Sequence, residues 1–120
     1  MRRVLVVLIA VVFVNAVPAL ASEVTVTGEL VDHVCFNRSG ADGMGPDHAE
    51  CAKSCASRGQ PVALVTASGD VYMLAGTVAA DNNAALVPHM GHTVEVTGEL
   101  GEVDGIPTIT AEVVKHVSAG

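Results

Sequence analysis

Alternating apolar and polar residues recur in two segments of the chain that have nearly the same sequence. Residues 23–32 read EVTVTGELVD and residues 93–100 read TVEVTGEL, an offset of 70 residues. In both segments Val and Leu alternate with Thr and Glu, which is the pattern of a strand with one buried face. The repetition predicts similar positions for the two strands in one sheet. The spacing is too wide for a solenoid repeat.

Two further pairs of apolar segments predict hairpins. Residues 61–66 (PVALVT) and 71–75 (VYMLA) are separated by the turn-forming residues Ser-Gly-Asp. Residues 102–105 (EVDG) supply a turn after the second near-repeat, so that residues 106–117 should pair back onto it. These segments predict five strands in all.

A single helix is predicted after the first strand. In the run GPDHAE at residues 45–50, the carboxylate of Asp47 could accept the amide of Glu50 in a capping box. The helix should run from about His48 to Ser57 and end at Gly59. The polar segments 37–44 and 76–91 are predicted to be loops that carry function.

Together the elements predict a mainly β fold, a small five-stranded OB-like barrel with one short helix after the first strand. The paired VxVTGxL strands, with Gly28 and Gly98 where a strand must bend, resemble those of the oligonucleotide/oligosaccharide-binding (OB) barrel. The helix departs from that pattern, because the OB barrel places it between the third and fourth strands. We expect a single domain over residues 22–120.

The N-terminus has the pattern of a secretory signal peptide. Arg2 and Arg3 precede an apolar run of 11 residues, Val4 to Val14, and an Ala-Leu-Ala step ends at Ala21. The run is too short to cross a bilayer core of about 30 Å. We therefore expect residues 1–21 to be removed and the remainder to be periplasmic or secreted, with no membrane attachment.

The charge balance argues against nucleic acid as a partner. The chain has 13 acidic residues and six Lys or Arg, and removal of Arg2 and Arg3 leaves four basic residues and a formal charge of −9. Phosphate backbones are bound by basic surfaces and by aromatic stacking platforms. After residue 21 the only aromatic residues are Phe36 and Tyr72.

All three cysteines fall within residues 32–55, together with two of the five histidines. His48, Cys51 and Cys55 are spaced i, i+3 and i+7, so they share one face of the predicted helix. We expect that face to look towards the end of the first strand, where Cys35 lies. Cys35, His48, Cys51 and Cys55 form a ligand set suited to Cu(I) or Zn²⁺. His33, two residues before Cys35 on the predicted strand, is a possible further ligand.

A disulfide is the alternative interpretation of the same cysteines. An exported protein meets an oxidising compartment, and a bridge from Cys35 to Cys51 or Cys55 would stabilise a small core. Cys51 and Cys55 are poor partners for each other, because residues one helical turn apart hold their Cβ atoms too widely separated. On this reading the protein is a disulfide-stabilised binding module for another small ligand or an exported protein partner.

Two other groups of residues carry weaker signals. The run Pro88-His89-Met90-Gly91-His92 offers imidazole and thioether donors, and His116 lies among valines of the last strand, where a structural role is expected. The chain contains no G-x-S-x-G, H-E-x-x-H or phosphate-binding glycine loop. His48 and Cys51 could form a nucleophile pair but have no recognisable orienting residue, so we do not expect an enzyme.

The motif D-x-x-C at residues 32–35, followed by DHAECAKSCASRGQPV at residues 47–62, resembles a signature of small exported bacterial proteins. The resemblance implies that Cys35, His48, Cys51 and Cys55 form the common site of that group. In fold and compartment the chain is also similar to the periplasmic copper/silver metallochaperones built on an OB barrel. Their site uses methionines, a histidine and a tryptophan, and this chain has no tryptophan.

Overall fold

The computed structural model describes residues 22–119, so the predicted signal peptide lies outside the described residues. Five strands form a closed barrel in the order β1-β2-β3-β5-β4, with β3 and β5 parallel and the other pairs antiparallel. The strands are β1 (Ser22–Asp32), β2 (Val62–Val65), β3 (Val71–Ala75), β4 (Thr93–Val103) and β5 (Ile106–Ser118). The predicted OB-like barrel and both predicted hairpins are confirmed.

The two near-repeated segments are neighbours in the barrel. β1 and β4 run antiparallel with Val26 opposite Val96, and the hydroxyls of Thr25 and Thr97 lie 3.0 Å apart on the outer face. The register between β4 and β5 shifts at Gly98, where a side chain would collide with the carbonyl of Thr110. Glycine is therefore required at this bend, as the sequence predicted.

The barrel interior forms the main core. Alternate residues of the strands fill it, among them the fully buried Leu30, Leu64, Val94, Val96 and Ile109. Leu86 and Met90, from the segment between β3 and β4, are also fully buried and complete the core. β2 is buried along its whole length because each of its two faces packs against a separate group of apolar residues. Val62 and Leu64 face the interior, whereas Ala63 and Val65 pack with Phe36 and Met44 outside it.

Two helices, not one, lie between β1 and β2. They are α1 (His33–Ser39) and α2 (Ala49–Ser57), with 3-10 turns at Gly40–Gly43 and Pro46–His48. The α2 prediction is confirmed, but the expected capping box is wrong, because no side chain caps the helix. Instead the turn Pro46–His48 leads directly into α2, and the amide of Ala49 donates to the carbonyl of Pro46. The helix α1 was missed.

The remaining short elements lie between β3 and β4. They are 3-10 turns at Thr77–Ala79 and Val87–His89 and a tight turn at Ala80–Asn83, in which Asp81, Asn82 and Asn83 adopt left-handed backbone angles. The segment predicted as a loop at residues 76–91 is therefore a series of turns. Because Leu86 and Met90 from this segment are buried with Ala52 and Ala56 of α2, the segment closes the barrel against that helix.

Asn83 holds the C-terminal end of α2. Its side-chain amide donates to the carbonyls of Ala56 and Gln60, both at 2.9 Å, and Asn83 itself is buried. Carbonyls at the end of a helix have no partner within the helix, so an external donor stabilises them. The left-handed turn at residues 81–83 thus fixes the helix that carries two of the three cysteines.

We expect Asn83→Ala to lower the free energy of unfolding by about 2 kcal/mol, because it removes two hydrogen bonds to largely buried carbonyls. Asn82→Ala is the matched control: Asn82 has the same left-handed backbone but is exposed. Urea unfolding of both variants measures the difference. Equal losses in the two would show that backbone strain, and not the hydrogen bonds, accounts for the effect.

Candidate metal centre

The two helices bring the three cysteines of the chain together. Cys35 lies in α1, and Cys51 and Cys55 lie one turn apart on α2. Their three sulfur atoms all lie within 4.8 Å of one another. The predicted convergence of Cys35 with the helix cysteines is confirmed, and the cluster could hold a metal ion.

The position of the thiols on α2 follows from the packing of its alanines. Ala52 and Ala56 enter the barrel core, which fixes the rotation of the helix. Cys51 and Cys55 each precede one of these alanines and therefore lie on the flank of the buried face. Cys55 is half-buried and Cys51 is exposed, so the cluster is open to solvent on the Cys51 side.

The local structure around Cys35 differs from the prediction. The sequence placed His33 and Cys35 on the same side of a strand, but both residues belong to α1, where residues two apart point in different directions. The imidazole of His33 instead lies 3.0 Å from the side-chain amide of Asn37, one turn later. His33 is not part of the group of converging donors.

His48 is the fourth residue of the predicted ligand set. It lies in the turn Pro46–His48 immediately before α2, and it is not in the group of converging donors, which consists of the three cysteines. Its Nε2 atom is buried and has no hydrogen-bond partner. A role for His48 as a fourth ligand stays a prediction.

A buried carboxylate lies beneath the thiols. Asp32 ends β1 and is only 1% exposed, and its Oδ1 atom accepts the amides of Val34 at 2.8 Å and Cys35 at 3.3 Å. This arrangement caps the start of α1. The same carboxylate accepts a hydrogen bond from the thiol of Cys55. Asp32 therefore positions both helices of the site.

These contacts set the protonation of the site. Burial raises the pKa of Asp32, but hydrogen bonds from the Cys55 thiol and from the amides of Cys35 and Val34 outweigh it, and the pKa is lowered. The hydrogen bond to Asp32, followed by burial, raises the pKa of Cys55 to about 11. Burial, followed by the charge of Asp32, raises the pKa of Cys35. Both thiols are therefore protonated at neutral pH.

Two arginines lie close to the thiols. The guanidinium of Arg58 donates to the sulfur of Cys55 at 3.3 Å and to the hydroxyl of Ser54 at 2.9 Å. The positive charge of Arg38 acts on Cys35 in the direction that favours its thiolate. The two arginines can offset negative charge when the thiols lose their protons.

The spacing of the sulfur atoms suits a metal ion. Thiolates bound to one ion at about 2.3 Å, as in zinc sites, lie about 3.8 Å apart. The observed upper limit of 4.8 Å leaves about 1 Å of contraction. Because rotation of a cysteine side chain moves its sulfur by more than this, the helices need not shift.

The alternative disulfide is not formed in this structure. All three cysteines are free. The cluster therefore has three sulfur atoms available as ligands.

The second predicted cluster, at residues 88–92, is separate from the cysteines. Its two histidines lie against His116 of β5, with ring centroids 5.6 Å apart for His89 and 5.3 Å apart for His92. The sequence had assigned His116 a structural role among valines, but its side chain is exposed and packs on these imidazoles.

Sequence reasoning missed the roles of Asp32 and Arg58. Asp32 was part of the noted motif but received no function. An Asp with free amides two and three residues later is a typical N-cap, so this role could have been found from the sequence. The contact of Arg58 with Cys55 follows the i, i+3 spacing of a helix, although Arg58 lies just beyond the end of α2.

Comparison of the chain with protein-family models, with curated proteins and with solved structures finds no match. Among residues 22–119, the helices are all too short or too polar to span a membrane.

We expect the pKa of Cys55 to fall when the charge of Asp32 is removed. In a protein whose only cysteine is Cys55, made by Cys35→Ser and Cys51→Ser, the rate of alkylation by iodoacetamide should rise with a midpoint near pH 11. Adding Asp32→Asn should move the midpoint down, because the amide oxygen can still accept the capping amides but carries no charge. Asp47→Asn, on the neighbouring exposed turn, should leave it unchanged. An unmoved midpoint in the Asp32 variant would mean that Asp32 does not control this thiol.

Proposed function

We propose that the protein is an exported metal-binding protein that handles a soft metal ion, Cu(I) or Zn²⁺, at the cluster of Cys35, Cys51 and Cys55. The convergence of the three sulfur atoms within 4.8 Å carries this proposal. Soft thiolate ligands favour Cu(I) and Zn²⁺ over hard cations, which prefer oxygen. The predicted signal peptide supports a location in the periplasm or outside the cell.

The number of sulfur ligands bears on the choice between the two ions. Three thiolates can complete a site for Cu(I), whereas structural Zn²⁺ sites take four ligands. For Zn²⁺ the fourth ligand would be His48, as the sequence predicts, or water on the exposed side of Cys51. Removing His48 therefore tests whether His48 or water completes a Zn²⁺ site, and Cu(I) binding does not require His48.

The surroundings of the cluster favour binding without catalysis. Metal thiolates with a nearby buried carboxylate concentrate negative charge, and Arg38 and Arg58 supply two of the four basic residues that follow the predicted leader. These groups can stabilise a bound ion. The identified donors complete a binding site and leave no obvious nucleophile and base, so we propose a carrier or scavenger role.

Each cysteine should contribute to metal affinity. Titration with Cu(I) or Zn²⁺ in the presence of a reductant should show one ion bound at the cysteine cluster, and Cys35→Ser, Cys51→Ser and Cys55→Ser should each weaken binding of that ion by at least about tenfold. Ser57→Ala, on the same helix, is the matched control and should bind as the unmodified protein does. His48→Ala should weaken Zn²⁺ binding and leave Cu(I) binding unchanged.

Native mass spectrometry of protein isolated from the periplasm provides an independent check. The proposal expects a bound ion in the untreated protein. A mass lower by about 2 Da than that of the reduced chain, with metal uptake unchanged in the Cys51 and Cys55 variants and stability lowered in only one of them, would support the disulfide-stabilised binding module instead.

Metal affinity should rise with pH. Because the pKa values of Cys35 and Cys55 are raised, each thiol must lose a proton when it binds the ion at neutral pH. We expect at least about two protons to be released per ion, and an apparent affinity that increases about 100-fold per pH unit between pH 6 and 8. Calorimetry in buffers of different ionisation enthalpy counts the protons. Release of about one proton or fewer per ion would contradict thiolate ligation by both residues.

A further inference from the structure

Three imidazoles gather at one place in the fold, apart from the cysteines. His116 of β5 lies between His89 and His92, with ring centroids 5.6 Å and 5.3 Å away and interplanar angles of 33° and 76°. His89 and His92 are half-buried and His116 is exposed, so the group is open to solvent on the β5 side. No part of the function proposed above uses these residues.

A tight turn presents two of the three rings. The amide of His92 donates to the carbonyl of His89 at 2.9 Å, and the backbone angles of Met90 (φ −60°, ψ 133°) with the positive φ of Gly91 fit a type II turn. Gly91 has a φ of 76°, which this turn requires at its third position and which glycine adopts without strain. Met90 is fully buried and anchors the turn in the core. The two histidines at the ends of the turn are therefore held close together.

The pairing of β4 with β5 positions the third imidazole, that of His116. His116 lies opposite Val94, and two residues earlier Val114 lies opposite Val96. Directly opposed residues of an antiparallel pair share a face, and Val94 and Val96 belong to the barrel core. His116 thus continues the inward row of β5 beyond the core, at the end of the barrel that the turn at residues 89–92 covers.

The spacing of the rings matches that of ligands on one metal ion. Two imidazoles bound at about 2.0–2.1 Å with an angle of 109–120° between them have centroids about 5.0–5.5 Å apart. The two measured separations agree with this range to within about 0.1 Å. The nitrogens do not yet converge as the sulfurs do, because the described donors within 4.8 Å of one another are those of the cysteines. The last torsion of a histidine side chain has a broad range, so rotation of the rings is the movement by which the nitrogens would converge.

One imidazole of the group has a buried ring nitrogen without a partner. The Nδ1 atom of His92 is buried with no hydrogen-bond partner, and a buried polar atom in that state is costly. Neutral imidazole prefers borderline divalent ions such as Zn²⁺ and Cu²⁺.

We propose that His89, His92 and His116 form a second metal site, which takes a divalent ion of the Zn²⁺ and Cu²⁺ class and is independent of the cysteine cluster. The site uses three nitrogen donors and leaves a position open on the exposed side of His116. It differs from the cysteine cluster in donor chemistry, so the two sites need not compete for the same oxidation state of copper.

The test uses the full chain with all three cysteines replaced by serine. This change removes the cysteine cluster and prevents its thiols from reducing Cu²⁺, which is the probe. Cu²⁺ should bind with one ion per chain, and its electron paramagnetic resonance spectrum should show coupling to two or three nitrogens. His92→Gln and His116→Gln should each weaken binding by at least about tenfold. His33→Gln is the matched control, because His33 is a half-buried histidine on α1, hydrogen-bonded to Asn37. Unchanged affinity in the His92 and His116 variants would overturn the proposal.

A second measurement leaves the cysteines in place. Titration of the reduced, unmodified protein with Zn²⁺, followed by nitrogen-15 resonances of the five imidazoles, reports each histidine separately. Once the cysteine cluster is saturated, further Zn²⁺ should shift the resonances of His89, His92 and His116 together and leave those of His33 in place. Equal shifts at His33, or shifts at only one residue of the three, would show surface binding and overturn the second site. The outcome does not depend on whether the cysteines bind metal.

Discussion

The carboxylate of Asp32 ties the barrel to both helices of the cysteine cluster. It ends β1 opposite Val62 of β2, accepts two amides at the start of α1, and accepts the thiol of Cys55 from α2. A buried charge is costly unless its lone pairs are satisfied, and these hydrogen bonds reduce that cost. The chain can leave the sheet at residue 32 and begin a helix at once, because this carboxylate accepts hydrogen bonds from amides in the first turn of α1. Those amides have no carbonyl partner within the helix.

The same interaction shapes the chemistry of the cluster. Three adjacent thiolates would repel one another, and the buried carboxylate keeps at least Cys55 protonated until a positive ion replaces the proton. The metal-free protein can therefore hold its thiols close together without accumulating charge. On the proposed function, the ion then enters a set of ligands whose backbone is already fixed by alanine packing in the core and by Asn83 at the end of α2.

The two groups of donor residues differ in how the fold builds them. The cysteines come from helices between β1 and β2, whereas the histidines come from a turn and the last strand, and both groups depend on the barrel for their positions. Thiolates favour Cu(I) and imidazoles suit Cu²⁺, whereas Zn²⁺ accepts both, so the two proposed sites differ in donor chemistry and in the oxidation state of copper that each would take. Neither group lies within the barrel core, which is filled by aliphatic side chains.

The sequence alone determined the barrel, because period-two alternation, near-repeated strands and glycine bends are local signals of its strands and their bends. It also determined α2 and the convergence of Cys35 with Cys51 and Cys55, since helical spacing places two thiols on one face. Only the tertiary structure showed that a helix, and not more strand, follows Asp32, which removed His33 from the side of Cys35, although the N-cap residue itself was visible in the sequence. It likewise decided that His116 meets His89 and His92, because strand register brings together residues that are far apart in the sequence, and no local pattern encodes that register.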